Sequence, residues 1–170
     1  MALVVDASIA LAWGLPDESS DYADAVLAVA EREGLCVPDL WAREIANGLA
    51  VAYRRRRITS ADERAFLTAL SHLHIEVEQP PSPLTVVSEA TSAAMRYGLS
   101  AYDAAYVDLA AREGLTLATL DASMRQAAEQ SGIVVFQSAW AGRLIFFAPA
   151  TITILLRSWR RLHKGNAQMN

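Results

Sequence analysis

Four carboxylates, Asp6, Glu44, Asp103 and Asp121, stand where short apolar runs give way to helical spacing. Asp6 follows Leu3-Val4-Val5, and Asp121 closes the run Thr116-Leu117-Ala118-Thr119-Leu120. Glu44 falls in the first turn of a helix behind Leu35-Cys36-Val37, and Asp103 in the first turn of a helix that Ser100 opens. Each has an ordinary explanation: Asp6 and Asp121 as helix N-caps, Asp103 as half of a capping box with Ser100, and Glu44 as favourable charge at a helix start. In an open parallel sheet, however, strand-to-helix turns share one edge, and that edge is where ligands bind. Two carboxylates ~4 Å apart repel by about 4 kcal/mol at an effective dielectric of 20. A cluster of this kind persists with a shared proton or a divalent cation, and hard oxygen donors suit Mg²⁺ or Mn²⁺.

The elements that must position these acids alternate between strand and helix. Apolar runs at 2–5, 35–37, 75–78, 116–120 and 133–136 read as strands, and the even spacing of Ile75-Glu76-Val77-Glu78 supports the third. Helical spacing covers 7–14, 21–33, about 41–57, a segment after Thr59 or Ser60, 84–97, 100–113 and 122–130. Gly34, Gly98 and Gly114 stop three of these helices. Strands separated by helices imply βα units and a parallel sheet covered on both faces, so the expected class is a three-layer α/β/α fold.

The stretches Val4-Val5-Asp6-Ala7-Ser8, Pro38…Trp41-Ala-Arg-Glu44-Ile-Ala-Asn-Gly-Leu49, Ser100-Ala-Tyr-Asp103-Ala-Ala-Tyr106 and Ala118-Thr119-Leu120-Asp121 occur in the order and spacing of a PIN domain. Their wording, above all Ala-Tyr-Asp-Ala-Ala-Tyr, resembles the VapC toxins of bacterial toxin–antitoxin pairs. The resemblance covers residues 2 to about 136. It implies a PIN-like fold and a Mg²⁺- or Mn²⁺-dependent endoribonuclease, usually a homodimer, held inactive by a small VapB antitoxin. Carried over by position, Asp6 and Asp103 would be direct metal ligands, and Glu44 and Asp121 would complete the site or hold its waters. Ser8 and Thr119 match small hydroxyl positions beside it. The implied reaction is in-line attack of metal-activated water on an RNA phosphodiester. The competing reading is a regulatory or RNA-binding module that keeps the PIN fold without cleaving.

Other chemistries lack their residues. There is no Gly-x-Ser-x-Gly elbow and no Gly-x-Gly-x-x-Gly or P-loop after any strand. The lone Cys36 offers neither a disulfide nor a thiolate cluster. His72 and His74 lack a third ligand at suitable spacing and read as ordinary surface or half-buried residues. Arg54-Arg55-Arg56-Arg57 is either favourable charge at a helix C-terminus or a contact for RNA or an acidic antitoxin tail. Leu11, Trp13, Trp41, Leu49 and Tyr53 read as core by default, with an antitoxin groove over Leu11/Trp13 and Leu49/Tyr53 as the alternative.

Charge divides the 170-residue chain. Residues 1–138 hold 10 basic and 19 acidic residues, a net −9, whereas the last 32 hold five basic residues and no acid. The expected organisation is a PIN domain over 1–138 and a basic, partly apolar tail over 139–170. Leu144–Leu156 is apolar for most of 13 residues but too short for a ~30 Å bilayer core, and Pro149 interrupts it. With no leader-like start, the expectation is a cytoplasmic protein without a membrane anchor. The hydrophobic share of 53% is ample for a core.

Overall fold

The computed structural model describes residues 2–15, 17–79, 82–138 and Ile152. Among them, chain order runs β1 (Leu3–Val5), α1 (Ala7–Gly14), α2 (Asp21–Glu33), β2 (Leu35–Val37), α3 (Trp41–Arg54), α4 (Ser60–Leu70), β3 (Ile75–Val77), α5 (Pro83–Tyr97), α6 (Ala101–Glu113), β4 (Thr116–Ala118) and α7 (Ala122–Gln130). The sheet has the order β3-β2-β1-β4, and every pairing is parallel. Leu3 faces Leu35 on one side and Thr116 on the other, so β1 is central and its three residues are buried on both faces. Helices α1 to α4 pack among themselves, while α5 packs on α6, and α6 on α7, β1 and β4. These are the two outer layers of an α/β/α sandwich.

The topology singles out one place. From β1 the chain steps to β2 and then β3, but it returns to lay β4 on the opposite side of β1. The gap between the carboxyl ends of β1 and β4 is therefore the switch point of the sheet, where open α/β folds bind ligands. The Asp6 N–H donates to the Ala118 carbonyl at 3.0 Å and closes the β1–β4 pair there.

Amphipathic spacing locks the layers. Ile9 and Trp13 of α1 are fully buried, and the Trp13 indole N–H donates to the Ala23 carbonyl of α2 at 2.8 Å. On the other face, Tyr106, Val107, Leu109 and Ala110 of α6 enter the core. Gly34 takes φ +81° between α2 and β2, a conformation that carries little penalty only for glycine.

Three expectations change. The run 133–136 forms no fifth strand. A single parallel bridge joins Val135 to Leu117, and the segment is tied by Leu117 N–H to Val134 O at 2.9 Å and Phe136 N–H to Leu117 O at 2.8 Å. Gly132 turns it in from α7, and Phe136 anchors it in the core, edge-on to Tyr22, so side-chain packing replaces a ladder. Helix α3 ends at Arg54 rather than near Arg57, because Arg56 takes φ +56°. Tyr53, read as core by default, is instead 56% exposed near the end of α3, whereas Trp13 keeps its core reading and so leaves the alternative groove over Leu11/Trp13 without that side chain. The tail beyond Ser138 lies outside the described residues except for Ile152, which is buried against the domain and donates its backbone N–H to Glu31 of α2. Among the described residues no helix is long and apolar enough to cross a membrane.

Candidate active site

Each predicted acid is positioned by the start of a helix. Asp6 is the N-cap of α1: its Oδ1 accepts the Ser8 backbone N–H at 3.2 Å and its Oδ2 the Ser8 hydroxyl at 2.6 Å. Thr119, fully buried at the end of β4, donates its hydroxyl to Asp6 Oδ2 at 3.1 Å across the switch point. The same Thr119 oxygen accepts the Asp121 N–H at 3.0 Å, and Asp121 caps α7 by accepting the Met124 N–H at 2.8 Å. Asp103 lies in the first turn of α6, where the Ser100 hydroxyl donates to it at 2.7 Å. Glu44 lies in the first turn of α3 and accepts the hydroxyl of Tyr106 from α6.

Two networks thus meet over the sheet edge. Ser8, Asp6, Thr119 and Asp121 form one continuous chain of hydrogen bonds. Glu44 and Asp103 approach from α3 and α6 and share a field with Asp6. Burial raises the Glu44 carboxyl above the usual glutamate range; the Tyr106 hydrogen bond offsets part of that, and the charges of Asp6 and Asp103 add to it. Burial, aided by the Glu44 hydrogen bond and charge and by Asp6, holds the Tyr106 hydroxyl firmly in its neutral, donating form. Asp6 and Asp121 are N-caps as expected, and the cap orients each of these two acids; Asp103 is held by the capping Ser100, and Glu44 by no cap at all.

Among the described residues no three acidic, imidazole or thiol side chains converge closely enough to form a finished metal cage. The donor set nonetheless fits a hard divalent cation. It is made of carboxylate and hydroxyl oxygens only, and the charges of Asp6 and Asp103 add to the cost of ionising Glu44, a cost that a cation would lower. His72 and His74 are exposed and belong to no such group.

The arginine cluster lies elsewhere. Arg54 is ten residues beyond Glu44 on α3, about 15 Å along the helix axis. Arg57 is already engaged, donating to Asp17 at 2.7 Å and Glu18 at 2.6 Å. Along α3 towards Arg54 runs an open groove of about 520 Å³, lined by Ile45, Leu49, Tyr53 and Arg54 of α3 and Glu63 and Leu67 of α4. Sequence reasoning missed α4's share of this groove. It also missed Tyr106, although the three-residue spacing from Asp103 places both on one face of α6. Arg125 was missed too: its guanidinium donates to the Thr119 carbonyl at 2.9 Å and lies over the Tyr22 ring.

A parallel sheet of this order, with carboxylates aimed over the switch point from α1, α3, α6 and α7, defines a PIN domain. The PIN domain family model matches residues 3–130, and the chain belongs to that family. Within it the chain is of the VapC type. It is 37% identical over 130 residues to ribonuclease VapC3 of Pyrobaculum aerophilum, covering 76% of this chain and 95% of that protein. It is 39% identical over 123 residues to ribonuclease VapC9 of Mycobacterium tuberculosis, covering 72% and 87%. The crystal structure of PAE2754 from Pyrobaculum aerophilum is similar in fold, with a TM-score of 0.61 and 26% identity, covering 85% of this chain and 98% of that one.

Proposed function

We propose that this chain is the endoribonuclease toxin of a toxin–antitoxin pair, and that Asp6, Glu44, Asp103 and Asp121 hold the Mg²⁺ or Mn²⁺ it uses. What supports the reading is that these acids stand at four helix starts, that the charges of Asp6 and Asp103 are felt at Glu44, and that each acid is held by a hydroxyl or backbone donor. Asp6 and Asp103 are the direct ligands. Glu44 and Asp121 complete the site or orient its waters. A bound divalent cation supplies the positive charge that lowers the pKa of a water and stabilises charge developing on the phosphate. The chain's own residues do the positioning. Ser8 and Thr119 fix the Asp6 carboxylate, Thr119 also fixes the turn that carries Asp121, and Ser100 fixes Asp103.

The substrate is RNA, and the net charge of −9 over residues 1–138 confines its approach to local positive groups. Of the arginine cluster, exposed Arg55 and Arg56 remain for phosphate or an acidic partner, while Arg54 borders the groove. A VapB-type antitoxin lays an amphipathic helix in the groove between α3 and α4, whose Ile45 end adjoins Glu44. The working unit is a homodimer, and residues 1–138 form the PIN domain to which 139–170 are appended. The deciding experiment is cleavage of RNA by purified, antitoxin-free protein with Mg²⁺, Mn²⁺ or EDTA. Cleavage that EDTA abolishes is expected. RNA binding without cleavage under any metal would instead establish a non-catalytic PIN module.

A further inference from the structure

The four acids are not held in the same way. Asp6 and Asp121 are N-caps fastened to backbone N–H groups of their own helices, and Asp103 is bonded to the capping serine of its own helix. Glu44 has none of these restraints. It has one more rotatable bond than aspartate, and α3 begins at Leu40 without any side-chain cap. Among the described residues, its carboxylate has one hydrogen-bond partner, the Tyr106 hydroxyl, 62 positions away on the opposite layer. Tyr106 is itself almost wholly buried and lies one helical turn beyond Asp103, so its ring position is set by the core and not by the site.

We infer that Tyr106 is the positioning residue for Glu44: its hydroxyl occupies one carboxylate oxygen, Oε2, and so turns the other towards Asp6 and Asp103. The inference rests on the cation reading above. It also explains why one helix supplies both Asp103 and Tyr106. The rigid α6 then sets the spacing between a ligand it carries and a ligand carried by α3 across the sheet edge.

The test is a double-mutant cycle on the full chain, read by Mn²⁺ affinity in calorimetric titration. Tyr106→Phe keeps the buried ring and removes one oxygen. It is expected to weaken Mn²⁺ binding by about 10- to 100-fold, the usual loss when a group orienting a metal ligand is removed. Its melting temperature in EDTA should stay close to wild type, and kcat for RNA should fall with KM little changed. Glu44→Gln retains the other three acids, so its weaker Mn²⁺ binding stays measurable, and adding Tyr106→Phe to it should change the affinity less than twofold. Wild-type affinity in Tyr106→Phe, or an equal loss in both backgrounds, overturns the positioning role while leaving the cation site standing. Absence of Mn²⁺ binding in the wild type overturns the cation reading and this inference together.

Discussion

At the scale of single residues, the proposed site makes a helix cap serve also as a catalytic group. Asp6 stabilises the start of α1 and at the same time points at the switch point, so replacing it separates the two roles. Asp6→Asn keeps an oxygen for the Ser8 N–H but loses the charge. Cleavage should fall by at least about 100-fold, the scale of removing a preorganised charged group, while the melting temperature in EDTA holds or rises as repulsion with Glu44 is relieved. Asp103→Asn should behave alike, and wild-type cleavage by that variant would refute the assignment. Glu44 adds a pH signature. Because burial and neighbouring acids raise its folded pKa, the folded state binds more protons than the unfolded one above the ordinary glutamate range of about 4.3. Stability in EDTA should therefore decline as pH rises from there through the raised value. Glu44→Gln should flatten that part of the profile in thermal denaturation.

At the scale of elements, α3 does two jobs along its length. Its first turn aims Glu44 and its middle walls the groove, with α4 opposite. Tyr53 and Leu67 are 56% and 46% exposed, whereas Leu49 beneath them is buried. Tyr53→Glu and Leu67→Glu should thus change stability by no more than about 0.5 kcal/mol. They should weaken antitoxin binding, measured by titration with the purified partner, by more than about 1 kcal/mol. Leu49→Glu should unfold the chain as well as release the partner. Helix packing also constrains two glycines. A Cβ on Gly14 would lie 2.6–2.9 Å from three atoms of the buried Phe66 ring, and one on Gly48 2.4 Å from a terminal methyl of Leu11. The ring cannot yield but the Leu11 side chain can rotate. Gly14→Ala should cost about 1–3 kcal/mol in denaturant unfolding and Gly48→Ala clearly less.

At the scale of the whole molecule, the PIN match ends at residue 130 and the charge changes near Ser138, where the proposed boundary lies. The burial of Ile152 and its bond to Glu31 connect the far side of that boundary to α2. A chain ending at Ser138 should fold and cleave RNA, because the hydrogen bond of Ile152 goes to Glu31 of α2 and not to a site residue. It should lose about 1–3 kcal/mol, the value of one buried isoleucine side chain. An insoluble product, or one without cleavage, would show that the tail is integral to the domain.

The sequence by itself determined which residues cap which helices, because capping and hydrophobic period are local: Asp6, Ser100 and Asp121 cap as their spacing requires, and the elements fall within a few residues of expectation. It also put Asp6, Glu44 and Asp121 just after strands β1, β2 and β4, at strand-to-helix turns of a parallel sheet, whereas Asp103 follows helix α5 and its place depends on how α6 packs. Contacts across the sheet were decided only in three dimensions. Nothing near Glu44 in sequence announces Tyr106, and the resemblance that put Thr119 beside the site did not supply its bond to Asp6, because each pair spans more than 60 positions and depends on how α6 and β4 seat beside β1. The same holds for Trp13 and Tyr53, both apolar at helical spacing. One faces α2 and the other solvent, and that choice belongs to the packing of helix on helix, which periodicity does not encode. The run 133–136 has the composition of a strand, yet it pairs by a single bridge, from Val135 to Leu117, and Phe136 is anchored in the core.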